Sequence, residues 1–269
     1  MSLPPSQVTV LMYHAIDDAG APSADAHYTV SQPSFAAHLR AIRAAGKQGL
    51  SVLKLLDGLA SNPAVAITFD DGLVSNFDAA GMLAAVGMSA DFFVNPSTIE
   101  QRGFLSWPQL REMNQMGMSI QSHAMTHRYL NDLPAAELEQ ELRVSKDKIE
   151  QNLGTAVTLL APPGGRMPAG LHRLAKQLGY AAICSSRVGF WKQERVDDAN
   201  GKNQEALEIP RLAVLAGTSD SQFGRWINSS QRELLILQSR GLVLNAAKRA
   251  IGNQRYERLR QTLIGEVAQ

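Results

Sequence analysis

The residue types that could carry chemistry fall into two clusters. His123 and His127 are four residues apart, and that spacing would place both imidazoles on one face of a helical turn. Asp70 and Asp71 directly follow the apolar run at residues 65–69. Two imidazoles and one carboxylate form the donor set of a hydrolytic metal centre with open positions for water and substrate. The two clusters together therefore predict a site for Zn²⁺ or a similar ion.

The Asp pair offers a second carboxylate, which could act as a base. Adjacent side chains at a strand end point in different directions, so one can bind the ion while the other accepts a proton. A divalent ion polarises a carbonyl and lowers the pKa of water. Asp also favours turns and helix caps, so the pair taken alone fits a turn equally well. Combined with the histidines, it favours metal-assisted hydrolysis.

Alternating strands and helices must position these residues. Apolar and β-branched runs predict strands over residues 8–13, 65–69, 90–94, 118–121, 157–160, 181–184 and 208–215. Periodicity and end signals predict helices over residues 34–45, 76–86, 107–116, 134–153 and 171–178. This order predicts an α/β fold with a mostly parallel sheet or a barrel.

The polar clusters are placed where such a fold has its active site. Sites in parallel sheets and barrels lie beyond the carboxyl ends of the strands. Four clusters come at the carboxyl ends of predicted strands: His14, Asp70 with Asp71, His123, and residues 162–165. We therefore expect these clusters to meet at one end of the sheet.

The composition narrows the choice of partners. The chain has 269 residues, 45% of them hydrophobic, and a formal net charge of +1, so no basic excess favours nucleic acid or anionic lipid. No apolar run approaches the roughly 20 residues of a membrane span. The first residues lack a signal-peptide pattern, which predicts a cytoplasmic location, or a periplasmic or extracellular one if the natural N-terminus is longer. The single cysteine, Cys184, excludes an internal disulfide.

Three motifs resemble those of the polysaccharide deacetylases, the NodB-homology family or carbohydrate esterase family four. Residues 68–72, Thr-Phe-Asp-Asp-Gly, look like the first motif of that family. Residues 123–127, His-Ala-Met-Thr-His, look like the second, and residues 161–166, Ala-Pro-Pro-Gly-Gly-Arg, look like the third. The motifs occur in the order of the family, and the resemblance extends over residues 8–215.

The resemblance implies a fold, a cofactor and a substrate. The fold would be a distorted (β/α) barrel over residues 1–229. Independently of the resemblance, the helical character of the tail predicts a C-terminal helical extension over residues 230–269. The cofactor would be a divalent metal, Zn²⁺ first, with Co²⁺ or Ni²⁺ as alternatives. The substrate would be a carbohydrate that carries N-acetylated amino sugars, such as an exopolysaccharide or its precursor.

The resemblance also assigns roles to residues. Asp70 would be the base that activates the attacking water, and Asp71, His123 and His127 would bind the metal. The backbone N–H of Gly164, which follows Pro163, would help stabilise the oxyanion.

The acid of the reaction is expected at an unusual place. The family normally has a late histidine in this role, but the last histidine of this chain is His172. His14, in a Tyr-His context after the first strand, is similar to the acid of a permuted subgroup that deacetylates poly-N-acetylglucosamine-type exopolysaccharides. We therefore expect His14 to protonate the leaving amine.

Three positions depart from the motifs of the family. Ala124 stands where Ser or Thr is usual, and Ala161 stands where an Arg often orients the catalytic Asp. Gly164 stands where an aromatic residue often follows the Pro, which predicts a more open site. Arg166 and Arg211 are candidates for contacts with the substrate or with Asp70, and a structural ion pair is an equally open interpretation of either.

Other functions and other carbohydrate contacts stay open at this level. A deformylase or amidase that acts on a small or lipid-linked substrate would use the same metal site. A carbohydrate-binding relative without catalysis is the third possibility. Trp191, Trp107 and Trp226 could stack on sugar rings, with Trp191 the best placed, although packing is an alternative for each.

Overall fold

The computed structural model describes residues 7–17, 25–60, 63–192 and 205–239. The strands are β1 Gln7–Tyr13, β2 Ala15–Ile16, β3 Thr29–Val30, β4 Gln48–Leu50, β5 Ala64–Phe69, β6 Asp91–Val94, β7 Ser119–Ser122, β8 Leu159–Leu160, β9 Ala182–Cys184, β10 Trp191–Lys192, β11 Leu207–Ile209 and β12 Leu212–Ala213. The helices are α1 Gln32–Ala44, α2 Val52–Leu56, α3 Asn76–Ala85, α4 Trp107–Gln115, α5 Ala135–Leu153, α6 Leu171–Gln177 and α7 Asp220–Ile227. Short 3₁₀ turns cover Ala26–Tyr28, Leu130–Asp132 and Pro163–Gly165.

Parallel strands form a nearly closed barrel. Its neighbours run in the order β12, β1, β5, β6, β7, β8, β9 and β11, and every neighbouring pair in this series is parallel. All six residues of β5 are buried, as expected for a strand covered on both faces. The sheet is extended by β4 beside β5 and by β10, which runs antiparallel to β1. The predicted distorted (β/α) barrel is therefore confirmed.

The last position of the barrel is filled by two short strands in succession. β11 pairs with β9, whereas β12 pairs with β1. Pro210 and Arg211 lie between them, and proline has no N–H to donate to a ladder. The single strand predicted over residues 208–215 is therefore wrong, and the break leaves Arg211 with its side chain fully buried.

Apolar side chains fill the barrel interior. Residues of β1, β5, β6, β8, β9 and β11 pack in one cluster, together with Val52 and Leu55 of α2. Ser51 caps α2 by accepting a hydrogen bond from the N–H of Lys54. Neither α2 nor β4 was predicted, because each is too short to show a period.

Two further local predictions are corrected. Residues 189–201 were expected to be a loop, but Trp191–Lys192 forms β10; residues 193–201 of that predicted loop lie outside the described residues. His123–His127 is not a helical turn, because Ala124 and His127 both have positive φ, at 61° and 60°.

The chain divides into two compact units, Met1–Ser229 and Ser230–Gln269. Residues 231–239 of the second unit are helical, and the remainder of the predicted helical extension lies outside the described residues. Within the described ranges, no helix has the length and apolar character that a membrane span requires.

Candidate active site

The turn after β5 separates the two carboxylates. Asp71 has φ 74° and Gly72 has φ 66°, a backbone region that non-glycine residues rarely occupy. A Cβ on Gly72 would lie 3.1 Å from the Cγ1 of Val94, so the turn is also packed closely against β6. As a result Asp70 is buried, with 3% of its surface exposed, while Asp71 has 28% of its side chain exposed.

Asp71 faces the two histidines. Its Oδ1 lies 3.3 Å from the Nε2 of His123 and 3.1 Å from the Nε2 of His127. One donor atom from each of the three residues lies within 4.8 Å of the others. A carboxylate oxygen and two imidazole nitrogens at this spacing fit a divalent ion such as Zn²⁺ and leave further coordination positions open.

The orientation of His123 also fits a metal ligand. Its Nδ1 lies 2.6 Å from the carbonyl oxygen of Ala161. A carbonyl oxygen can only accept, so Nδ1 carries a proton, which leaves Nε2, beside Asp71, as the nitrogen that could bind a metal. Ligating histidines are commonly fixed by such a second hydrogen bond. Ala161 stands at the position where the third motif often has an arginine. It contributes its backbone carbonyl oxygen to the site.

Helix α5 holds the loop that connects the two histidines. The carboxylate of Glu141 accepts hydrogen bonds from the N–H of Met125 and the N–H of Thr126, both at 2.9 Å. It also accepts one from the Thr126 hydroxyl at 2.6 Å. Sequence reasoning missed this contact, because Glu141 showed only ordinary helical spacing.

Asp70 forms a buried ion pair with Arg211. The guanidinium donates to both carboxylate oxygens, at 2.7 and 2.8 Å. Burial raises the pKa of Asp70, but the charge of Arg211 and its hydrogen bonds outweigh burial, so the pKa lies below its ordinary value. Arg211 also donates to the hydroxyl of Thr68 and the carbonyl of Ser185. Of the two contacts considered for Arg211, the structure therefore shows the one with Asp70.

His14 follows β1 at the same end of the barrel. Its ring packs on Tyr28, with 4.5 Å between the ring centroids. Burial lowers the pKa of His14, and the charges of Asp70 and Asp71 oppose that shift. Within the described residues, its buried Nδ1 has no hydrogen-bond partner.

The turn at Pro163–Gly165 differs from the expected open site. Gly164 has φ 60°, and a Cβ built on it would lie 2.5 Å from the Cε1 of Tyr129. The ring of Tyr129 therefore occupies the space beside Gly164. Arg166 is exposed, with its guanidinium carbon 5.3 Å from the centroid of the Tyr129 ring.

Two of the three tryptophans are not available as sugar platforms. Trp191 and Trp226 are each 4% exposed and belong to the core. Trp107 is the first residue of α4 and is partly buried. Packing is therefore the correct interpretation of Trp191 and Trp226.

Comparison with known proteins points to one family. The family model "Polysaccharide deacetylase" matches residues 58–183. "Putative polysaccharide deacetylase YxkH" of Bacillus subtilis (strain 168) is 29% identical over 231 residues, or 84% of this chain and 77% of YxkH. These matches support the polysaccharide deacetylase family for this chain. As a polysaccharide deacetylase it is a hydrolase, which confirms the resemblance drawn from the three motifs.

Solved deacetylases share its fold. Streptococcus pyogenes deacetylase PplD, solved in complex with acetate, has a TM-score of 0.72 and 25% identity, over 83% of this chain and 99% of PplD. IcaB from Ammonifex degensii has a TM-score of 0.67 at 20% identity, over 84% of this chain and 99% of IcaB, a likeness in fold alone. Members of this family generally depend on a metal, and Asp71, His123 and His127 form the candidate site. His14 and Arg211 lie outside the residues matched by the family model.

Proposed function

We propose that this deacetylase removes N-acetyl groups from the amino sugars of a polysaccharide, such as an exopolysaccharide or its precursor, with Zn²⁺ or a similar divalent ion in the Asp71, His123 and His127 site. The observation that carries the proposal is the convergence of these three donors beside a second, buried carboxylate. When bound, the ion would polarise the acetyl carbonyl and help water react at neutral pH.

Asp70 has the properties that a base in this reaction needs. Its ion pair with Arg211 keeps the carboxylate charged and fixed in orientation. Each carboxylate oxygen can accept more than one hydrogen bond, so both oxygens keep acceptor capacity. Asp70 would take a proton from the attacking water as the water oxygen bonds to the acetyl carbon.

His14 and Gly164 would complete the reaction. The N–H of Gly164 would donate to the oxyanion that forms on the acetyl oxygen. When the C–N bond breaks, protonated His14 would give its proton to the leaving nitrogen. The products are acetate and the free amine of the sugar. The water oxygen stays in acetate, one water proton passes through Asp70 to solvent, and the other leaves when acetic acid ionises, while His14 takes up a new proton from solvent.

The test measures acetate release from penta-N-acetylchitopentaose after chelation and after reloading with Zn²⁺, Co²⁺ or Ni²⁺. We expect activity to depend on one bound metal per chain, and His123→Ala to abolish both metal binding and activity. His172→Ala is the matched control, because His172 lies on α6 and contacts Glu208, outside this cluster.

The other outcomes separate the alternatives. Full activity of the metal-free protein would contradict the metal site. Bound metal without acetate release would favour another acyl substrate, such as a formyl group or a small amide. Neither metal nor release would favour a carbohydrate-binding relative without catalysis.

A further inference from the structure

Tyr129 presents a large aromatic ring to solvent just after the loop that carries the candidate metal ligands. Its exposure is 47%, which makes it one of few large hydrophobic residues exposed to this degree among the described residues. It comes two residues after His127 in the chain, and its ring lies against Gly164 of the predicted oxyanion turn. The ring therefore borders the place where the acetyl group would react.

The neighbours of Tyr129 fix this ring in position. Gly164 leaves room for it, since any side chain there would begin 2.5 Å from the ring. Arg166 places its guanidinium 5.3 Å from the ring centroid, within the range of a cation–π contact. A ring that is held in this way loses little conformational freedom when a ligand covers it.

We propose that Tyr129 stacks on a sugar unit next to the one that is deacetylated, and that Arg166 donates hydrogen bonds to the same sugar unit. This inference rests on the proposed function. A pyranose ring has an apolar C–H face that suits an aromatic surface, and its hydroxyl and carbonyl oxygens can accept hydrogen bonds from a guanidinium. The platform would make the enzyme prefer chains over single sugars.

The preference for chains gives the test. For the wild-type protein, we expect penta-N-acetylchitopentaose to have a higher kcat/KM than N-acetylglucosamine. Tyr129→Ala should raise KM for the pentasaccharide by roughly three- to tenfold, the range expected for loss of one aromatic contact, and should leave kcat nearly unchanged. The ratio of the two kcat/KM values should fall by the same factor.

Two variants serve as controls. Tyr129→Phe keeps the ring and should keep the chain-length preference, which separates stacking from the hydroxyl group. Leu59→Ala removes another exposed hydrophobic side chain, 63% exposed and placed after α2, and should change neither constant. A fall in kcat for both sugars alike would show that Tyr129 is structural and would overturn the platform.

A binding titration keeps this inference separate from the proposed function. Isothermal titration with penta-N-acetylchitopentaose is carried out on the wild type and on Tyr129→Ala. Binding that depends on Tyr129 without acetate release would support the platform and contradict the deacetylation proposal. Acetate release with equal constants in the wild type and Tyr129→Ala would overturn the platform alone, and neither binding nor release would overturn both.

Discussion

At the scale of single residues, Asp70 and Arg211 place two opposite charges where water is excluded. Asp70 is 3% exposed and Arg211 is 1% exposed. Moving charges out of water is costly, and the pair offsets that cost only while both partners are present with good hydrogen-bond geometry. The bidentate contact at 2.7 and 2.8 Å meets that condition. Removal of one partner should therefore lower both the stability and the activity of the protein.

Arg211→Met should therefore lower the free energy of unfolding by about 3–5 kcal/mol, the usual cost of leaving a buried charge alone. It should also lower kcat, because Asp70 loses the contact that orients it. The double variant Asp70→Asn, Arg211→Met should recover part of the stability but none of the activity. Urea unfolding and acetate release measure the two effects; a double variant as unstable as Arg211→Met would show that the charge of Asp70 is not the cause.

The individual residues also show which parts of the candidate site could be predicted from the sequence. The three candidate metal ligands and Asp70 follow from residue type and spacing, because their chemistry is tied to short motifs. From the sequence, the contact between Arg211 and Asp70 was one of several possible contacts for Arg211. It depends on the fold, because it joins the end of β5 to the break between β11 and β12. Tyr129 had no signal, because its role depends on the space left by Gly164 in another loop.

At the scale of elements, the site depends on a loop that is not regular structure. The residues between His123 and His127 include Ala124 with positive φ, which costs energy for a residue with a Cβ. Asn95 donates to the carbonyl oxygens of His123 and Ala124, and Glu141 of α5 accepts from the N–H groups of Met125 and Thr126. The His-x₃-His spacing indicated a helical turn, because residue spacing alone does not reveal a loop whose conformation is fixed by hydrogen bonds from other elements.

Glu141→Ala should weaken metal binding roughly 10- to 100-fold, the usual effect of removing a group that orients metal ligands. Glu141→Gln keeps one carbonyl oxygen as an acceptor and should have a smaller effect. Competition with a chelating dye measures the affinity, and thermal unfolding of the metal-free variants shows whether the fold is intact.

The matched control for Glu141 lies one turn earlier on the same helix. Glu137 pairs with Arg128 at 2.8 Å, and both side chains are about half exposed, so this pair contributes at most about 1 kcal/mol. Glu137→Gln should bind metal as the wild type does. An equal loss of affinity in Glu137→Gln and Glu141→Gln would mean that the charge of α5, and not the contact with the loop, controls the site.

At the scale of the whole molecule, the barrel carries another buried carboxylate, at the opposite strand ends from the candidate site. Asp91 is the first residue of β6, so it lies at the amino end of its strand, whereas the candidate site lies at the carboxyl ends. It accepts hydrogen bonds from the N–H of Val52 at 2.5 Å and from the N–H of Leu53 at 3.4 Å. These contacts join the start of α2 to the barrel.

Burial raises the pKa of Asp91 from 3.8 to about 7, against the opposing hydrogen bonds of Ser119, Val52 and Leu53. Between pH 4 and pH 7 the folded protein therefore holds a proton at Asp91 that the unfolded chain has released. The contribution of Asp91 to stability is greatest at the acidic end of this window and falls as the pH rises, by at most about 4 kcal/mol in total.

Asp91→Asn should remove this dependence, because the amide does not titrate in that range. The measurement is urea unfolding of the wild type and Asp91→Asn at several values between pH 4 and pH 7, with the two free energies subtracted at each pH so that other carboxylates cancel. The stability of the wild type relative to the variant should fall as the pH rises. Asp57→Asn, at the exposed end of α2, is the control. If the wild type gained stability relative to Asp91→Asn over this window, Asp91 would be ionised in the folded barrel and held by the N–H groups of α2.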